Sequence, residues 1–191
     1  MTELHRLASP EQVALTVDDF LLLERSGAFD AYARTELIDG VIVALNSQWV
    51  PHARAKMMVA FAINDAVRTL SLPLEVYSEV SVKLGPHDLP MPDVLLCRVL
   101  NQHEGPVPHD QMLLAIEISD STLAFDLGVK ATVYARQGIP EYWVVDLKSR
   151  IIHQMSKPAA EGYETKAQIA FGMPLRSVAV PPLEVPTTTL L

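Results

Sequence analysis

Met112-Leu113-Leu114-Ala115-Ile116-Glu117-Ile118 carries one charge in an otherwise apolar run, and Ser119-Asp120-Ser121-Thr122 follows at once. A short apolar run bounded by turn residues reads as a strand buried on both faces. The Ser-Asp-Ser-Thr cluster is N-cap chemistry. It predicts a helix running to about Gln137, ended by Gly138 and Pro140. Glu141-Tyr142-Trp143-Val144-Val145-Asp146 is then a further buried strand. Strand, helix, strand is the frame on which the other elements are hung.

Upstream, Pro92 leads into Asp93-Val94-Leu95-Leu96-Cys97, another continuous apolar run like a central strand. Residues 101–110 hold Gly105, Pro106, Pro108 and two histidines, and read as a polar loop. Leu74 to Leu84 alternates, with Val76, Ser78, Val80 and Val82 on one face. From Pro51-His52 to Leu70, apolar side chains recur at helical spacing through Ala55, Met58, Val59, Ala62, Ile63, Ala66 and Val67. Asp39-Gly40 between apolar flanks predicts a hairpin with strands over about 35–38 and 41–45. Thr16 reads as the N-cap of a short helix, with Asp18 and Asp19 in its first turn and Gly27 as its stop. Residues 1–15 are a loosely ordered lead-in.

Downstream, Ile151 to Met155 pairs back onto the chain, a last strand surrounds Tyr163, and the Pro- and Thr-rich tail from Pro181 packs irregularly. The order implies an α/β protein, one mixed sheet flanked by helices, with a single domain over residues 16–191.

Bulk properties narrow the function. The 191 residues are 49% hydrophobic and 20% charged, an ordinary globular composition. Fifteen basic and 23 acidic side chains leave a net charge of −8. That balance disfavours a broad electrostatic surface for nucleic acid, so any polyanion site must be local or neutralised by a bound cation. Cys97 is the sole cysteine, which excludes an internal disulfide and suits a buried core thiol. MTELHRLASPEQ has no apolar signal region, and no run approaches the roughly 18 apolar residues of a membrane span. A cytoplasmic protein without a membrane partner is expected.

Asp93 and Glu117 each interrupt or adjoin an apolar strand. An ionised carboxylate buried without a partner is costly. A divalent cation meets that need, and a set of oxygen donors suits Mg²⁺ or Mn²⁺. The alternative is two strand-end acids in water or in structural ion pairs. Asp126, Lys130 and Tyr134 follow at i, i+4 and i+8 on the next helix, near one face that can look back at Glu117. A lysine there could hold a phosphate or position a water. The plainer alternative is an exposed Asp126–Lys130 helix pair.

With these pieces in order, the chain resembles the PD-(D/E)XK nuclease superfamily, in its bacterial Uma-type branch of restriction-endonuclease-like proteins. The resemblance runs from about Thr16 to Tyr163. It is carried by Glu36-Leu37-Ile38-Asp39-Gly40, Pro51-His52, Ser78-Glu79-Val80, Pro92-Asp93-Val94, Glu117-Ile118-Ser119, Asp126 with Lys130 and Tyr134, and Gly138-Ile139-Pro140 through Asp146.

The resemblance implies a restriction-endonuclease-like core and Mg²⁺-dependent (or Mn²⁺-dependent) hydrolysis of DNA phosphodiester bonds, with RNA as the alternative substrate. Asp93, Glu117 and the carbonyl of Ile118 would be the metal ligands, with Glu36 completing the site directly or through water. The superfamily's plain pattern has a lysine two residues after the glutamate. Ser119 stands there instead, and Lys130 inherits that role. Glu79 and His52 are secondary candidates, His52 serving equally well as a helix cap. Asp126 and Tyr134 would hold Lys130 in place. Two departures oppose tight DNA binding: Leu123-Ala124-Phe125 and Met91 stand where basic residues are expected. They keep a second reading open, a nuclease-fold protein of weak or absent activity that serves as a binding or assembly module. A homodimer is expected, through an exposed apolar N-terminal helix or the Tyr142-Trp143 strand.

Overall fold

The computed structural model describes residues 13–45, 47–101 and 104–190. Most of the expected lead-in (residues 1–12) and His103 of the polar loop lie outside the described residues.

Helix α1 (Val17–Arg25) begins at a reciprocal cap, in which the Thr16 hydroxyl accepts from the Asp19 amide and the Asp19 carboxylate accepts from the Thr16 amide. Strands β1 (Arg34–Ile38) and β2 (Val41–Leu45) form the hairpin. Asp39 and Gly40 at its tip both have positive φ, 51° and 72°, as the tight two-residue turn requires. Helix α2 covers Val50–Thr69. Then come β3 (Leu74–Ser78), β4 (Val82–Lys83), β5 (Val94–Arg98), β6 (Val107–Pro108) and β7 (Met112–Ser119). Helix α3 spans residues 123–136, with a central π segment, Asp126–Lys130, between two α-helical pieces. Strands β8 (Glu141–Asp146), β9 (Ile151–Ala159), β10 (Gly162–Ala170), β11 (Pro174–Arg176) and β12 (Glu184–Pro186) complete the chain.

The main sheet has six strands in the order β10-β9-β8-β7-β5-β3. It is mixed: β7 and β8, joined through α3, are parallel, and the other neighbours are antiparallel. Alternate side chains of the central strands sort into two cores. Val94, Leu96, Leu114, Ile116, Trp143 and Val145 pack with α2 and the C-terminal strands. Leu95, Cys97, Ala115, Tyr142 and Val144 pack with α3. Cys97 is a fully buried thiol, and desolvation pushes its pKa up to about 11.

Several expectations are corrected. The hairpin forms its own two-stranded sheet rather than joining the main one. The alternating run 74–84 is not one strand. Glu79 takes φ 54°, a left-handed conformation that ends the ladder at Ser78. Past this break Val80, Val82 and Leu84 pack on the α3 side, opposite to Val76. The tail from Pro181 is more regular than expected, since β12 pairs with β11. Tyr142 and Trp143 lie within the central sheet, so they offer no surface to a second subunit. No helix among the described residues is long and apolar enough to cross a membrane.

Candidate active site

Asp93 and Glu117 share the α3 side of adjacent antiparallel strands. Val94 pairs with Ile116, so one step further along the register sets Asp93 across from Glu117. Like charges in that relation repel, so partners must compensate them. The Asp93 Oδ2 accepts from the Ile118 amide at 2.8 Å and lies 3.3 Å from His52 Nε2. Its Oδ1 accepts from Gln48 Nε2 at 3.1 Å. The backbone carbonyl of Asp93 accepts from the Ser78 hydroxyl at 2.8 Å and the Glu79 amide at 3.3 Å, so the break after β3 also fixes the acid's place.

Lys130 reaches Glu117 from α3. Its Nζ stands 2.9 Å from Glu117 Oε1 and 2.9 Å from Glu36 Oε2 of the hairpin. The Tyr134 hydroxyl donates to the same Glu117 oxygen at 3.2 Å. Lys130 and Glu117 are each 2% exposed and Glu36 0%, so the exposed helix pair with Asp126 does not form. Asp126 instead accepts from the Thr122 hydroxyl, and its backbone carbonyl accepts from Tyr142. The π segment ends at Lys130. Such segments add a residue per turn and re-aim the side chains after them.

Three residues that the sequence reading did not single out join the site. Arg34, two positions before Glu36, has its guanidinium nitrogens 3.5 Å from carboxylate oxygens of Glu36, Glu79 and Asp93. Lys56 of α2 is 2.7 Å from Glu79 and donates to Gln48 Oε1 at 2.6 Å. Gln48 also donates to Glu79 at 3.1 Å, bridging it to Asp93. Arg34 and Lys56 bring positive charge to the site, where it is paired with Glu36, Glu79 and Asp93. Lys56 carries a weak signal in the sequence, since it is flanked by Ala55 on the buried stripe of its helix.

The electrostatics divide the two acids. Burial alone would raise the Asp93 pKa, but the hydrogen bond and charge of His52, the Ile118 amide and Arg34 bring it below the ordinary carboxylate range. Glu117 goes the other way. Burial and the charges of Asp93, Glu36 and Asp126 outweigh Lys130 and push it well above that range. Lys130 is held charged: desolvation opposes its proton, and Glu117 and Glu36 more than reverse that.

Arg34, His52, Asp93, Glu117, Asp126 and Lys130 border a cavity of about 60 Å³, room for several water-sized groups. Arg34, Lys56 and Lys130 face five carboxylates, those of Glu36, Glu79, Asp93, Glu117 and Asp126, so with all five ionised the acids outnumber these cations by two, a surplus that also raises the Glu117 pKa. A divalent cation fits this surplus. Among the described residues no three His, Cys, Asp or Glu side chains make a ready cage. The protein donors at hand are two carboxylates and a backbone carbonyl, a set that suits magnesium, which usually keeps several waters of its own.

Asp93, Glu117, Ile118, Lys130, Glu36, His52, Glu79, Asp126 and Tyr134 thus converge, although Asp126 and Tyr134 contact Thr122 and Glu117 rather than hydrogen-bonding Lys130. Comparison with known proteins gives one family and one fold. The family model Uma2, described as "Putative restriction endonuclease", matches residues 17–188. Among solved structures, the chain is similar to a crystal structure from Anabaena variabilis ATCC 29413 described as a putative nuclease belonging to DUF820. The TM-score is 0.67 at 16% identity, over 92% of this chain and 97% of that one, a likeness of fold. No curated protein matches the chain.

Proposed function

Because this chain belongs to the Uma2 family of putative restriction endonucleases, we propose that it is a Mg²⁺-dependent endonuclease hydrolysing DNA phosphodiester bonds by the PD-(D/E)XK mechanism, in the cytoplasm, with one domain over residues 16–191. The observation that carries this reading is Lys130, buried and 2.9 Å from both Glu117 and Glu36, beside Asp93 on one cavity. Asp93, Glu117 and the Ile118 carbonyl would hold the metal (Mg²⁺ or Mn²⁺), whose chemistry is to lower the pKa of a water and offset charge on the phosphate. Lys130 orients the attacking water and offsets charge at the phosphate oxygens. Glu36 and Tyr134 hold Lys130 and Glu117 in place. His52 and Arg34 keep Asp93 ionised. Arg34 and Lys56 are paired with Glu36, Glu79 and Asp93, so a bound cation would have to meet the charge of the phosphate.

The test combines calorimetric titration with Mg²⁺ and Mn²⁺ and cleavage of supercoiled, linear and single-stranded DNA and of RNA. Metal binding lost in Asp93→Ala, with cleavage lost in Glu117→Ala and Lys130→Ala, is expected. A metal isotherm unchanged by Asp93→Ala, or cleavage that survives Glu117→Ala, would overturn the assignment.

A homodimer remains part of the proposal, with α1 as its surface, where Leu22 is 62% exposed. Sedimentation velocity at micromolar concentration checks it, and a monomer alone would remove it.

A further inference from the structure

Trp49 lines the same cavity as Asp93, Glu117 and Lys130, yet it is 77% exposed. Exposing an indole forgoes one of the largest apolar burials a side chain can make. It stacks on no other aromatic ring among the described residues. Its backbone is nonetheless held. The Trp49 carbonyl accepts from Ala53 at 3.0 Å as α2 begins, and the preceding Gln48 is bonded to Asp93, Glu79 and Lys56. A flat apolar platform is therefore braced at the rim of a polar cavity lined by both acids and cations. The net charge of −8 works against gripping a long run of duplex phosphates. A short strand held by one buried phosphate and one stacked base needs no such surface, because stacking on an aromatic side chain is worth about tenfold or more in affinity per base and accepts any base.

We infer that Trp49 stacks on an unpaired nucleobase beside the phosphodiester held in the cavity, so that single-stranded or locally opened nucleic acid is preferred over intact duplex. The inference rests on the nuclease reading above. In a closed duplex both faces of each base are covered by its neighbours. Only an unpaired base, or one at an end or opening, offers a face to Trp49.

The experiment measures binding of a labelled 12-nucleotide single strand and its matched duplex by anisotropy, with Ca²⁺ in place of Mg²⁺. Wild type, Trp49→Ala and Trp49→Phe are compared, each checked for an unchanged melting temperature. Tryptophan emission is followed in the same titration, and Trp143, 1% exposed, gives a constant background. The single strand is expected to bind more tightly than the duplex and to quench Trp49. Trp49→Ala should weaken the single strand by about tenfold and Trp49→Phe much less. With Mg²⁺, Trp49→Ala should raise KM for the single strand and leave kcat nearly unchanged. Equal affinity of Trp49→Ala and wild type for the single strand, or a duplex bound as tightly as the strand, overturns the inference. If Glu117-dependent cleavage persists in either of those cases, only the Trp49 assignment falls. If neither nucleic acid binds or is cut, the nuclease reading falls with it.

Discussion

Lys130 Nζ lies 2.9 Å from Glu117 Oε1, with both side chains almost wholly shielded from water, and Glu36 meets the same ammonium from a different sheet. Breaking a buried pair on one side leaves an uncompensated charge and costs about 3–5 kcal/mol. Lys130→Met is therefore expected to lower unfolding free energy by about 3 kcal/mol in urea. Adding Glu117→Gln should recover part of that loss. The coupling of the two substitutions should exceed about 1 kcal/mol, since they share one contact. Additive losses would show that the two residues do not stabilise one another.

Glu141 is a further buried carboxylate of consequence, and it does not line the cavity. It accepts from Trp143 Nε1 at 2.7 Å, Gln154 Nε2 at 2.6 Å, the Ser177 hydroxyl at 2.6 Å, and the amides of Val178 and Ala179 at 2.9 and 3.0 Å. It thereby pins the 177–179 turn to the start of β8. Glu141→Ala leaves these donors unpaired and should cost roughly 3 kcal/mol or more. Hydrogen exchange at the Val178 and Ala179 amides should accelerate, while metal affinity at the candidate site stays unchanged.

Two glycines should respond in opposite directions. Gly40 has φ 72°, and a Cβ there would stand 2.6 Å from the Ala14 Cβ and 2.8 Å from its Cα. Gly40→Ala should destabilise by more than about 1 kcal/mol, because the left-handed turn and the close approach both resist it. Gly128, in the π segment of α3, has open space around its Cβ position. Gly128→Ala should stabilise by about 0.5–1 kcal/mol through the unfolded chain. Thermal unfolding of both variants checks the pair.

Asp146 gives a pH signature. Its carboxylate accepts the amides of Lys148 and Ser149 at 3.0 and 3.1 Å, closing the β8–β9 turn. Burial opposes its charge, but these amides and the Ser149 hydroxyl lower its pKa below the ordinary value of 3.8. With the folded value depressed, the stabilisation is fully present above about pH 3.8 and is lost as the pH falls through the folded value. Asp146→Ala should lose about 1–2 kcal/mol at neutral pH and show a shallower acid limb than wild type in unfolding measured between pH 2 and 7. Parallel acid limbs would contradict it.

Much of this molecule was legible along the chain. β7, α3 and β8 declare themselves through apolar runs, a cap cluster and a Gly-Pro stop, and those are local signals. Asp93 and Glu117 stood out because a carboxylate within or beside an apolar run must find a partner. Spacing left Lys130 open between a site lysine and an exposed helix pair with Asp126, and only the family resemblance pointed to the site. The break at Glu79 was not legible. Alternation continues through the residues 74–84, and only the seat of its amide and of the Ser78 hydroxyl on the Asp93 carbonyl explains the left-handed turn.

The sequence by itself determined the kind of elements, the two central acids and the family resemblance, because periodicity, capping and the cost of a buried charge act over a few residues. The tertiary structure decided which residues share the cavity. Register set Asp93 opposite Glu117, the separate hairpin brought Glu36 to Lys130 across 94 residues of chain, and Arg34, Gln48 and Lys56 joined from elements on different sides of the sheet. A net charge of −8 averages over the surface and hides the local cations beside Asp93, and the same folding left Trp49 uncovered at the rim. Pairings between distant segments depend on how whole layers stack, and no local pattern encodes that.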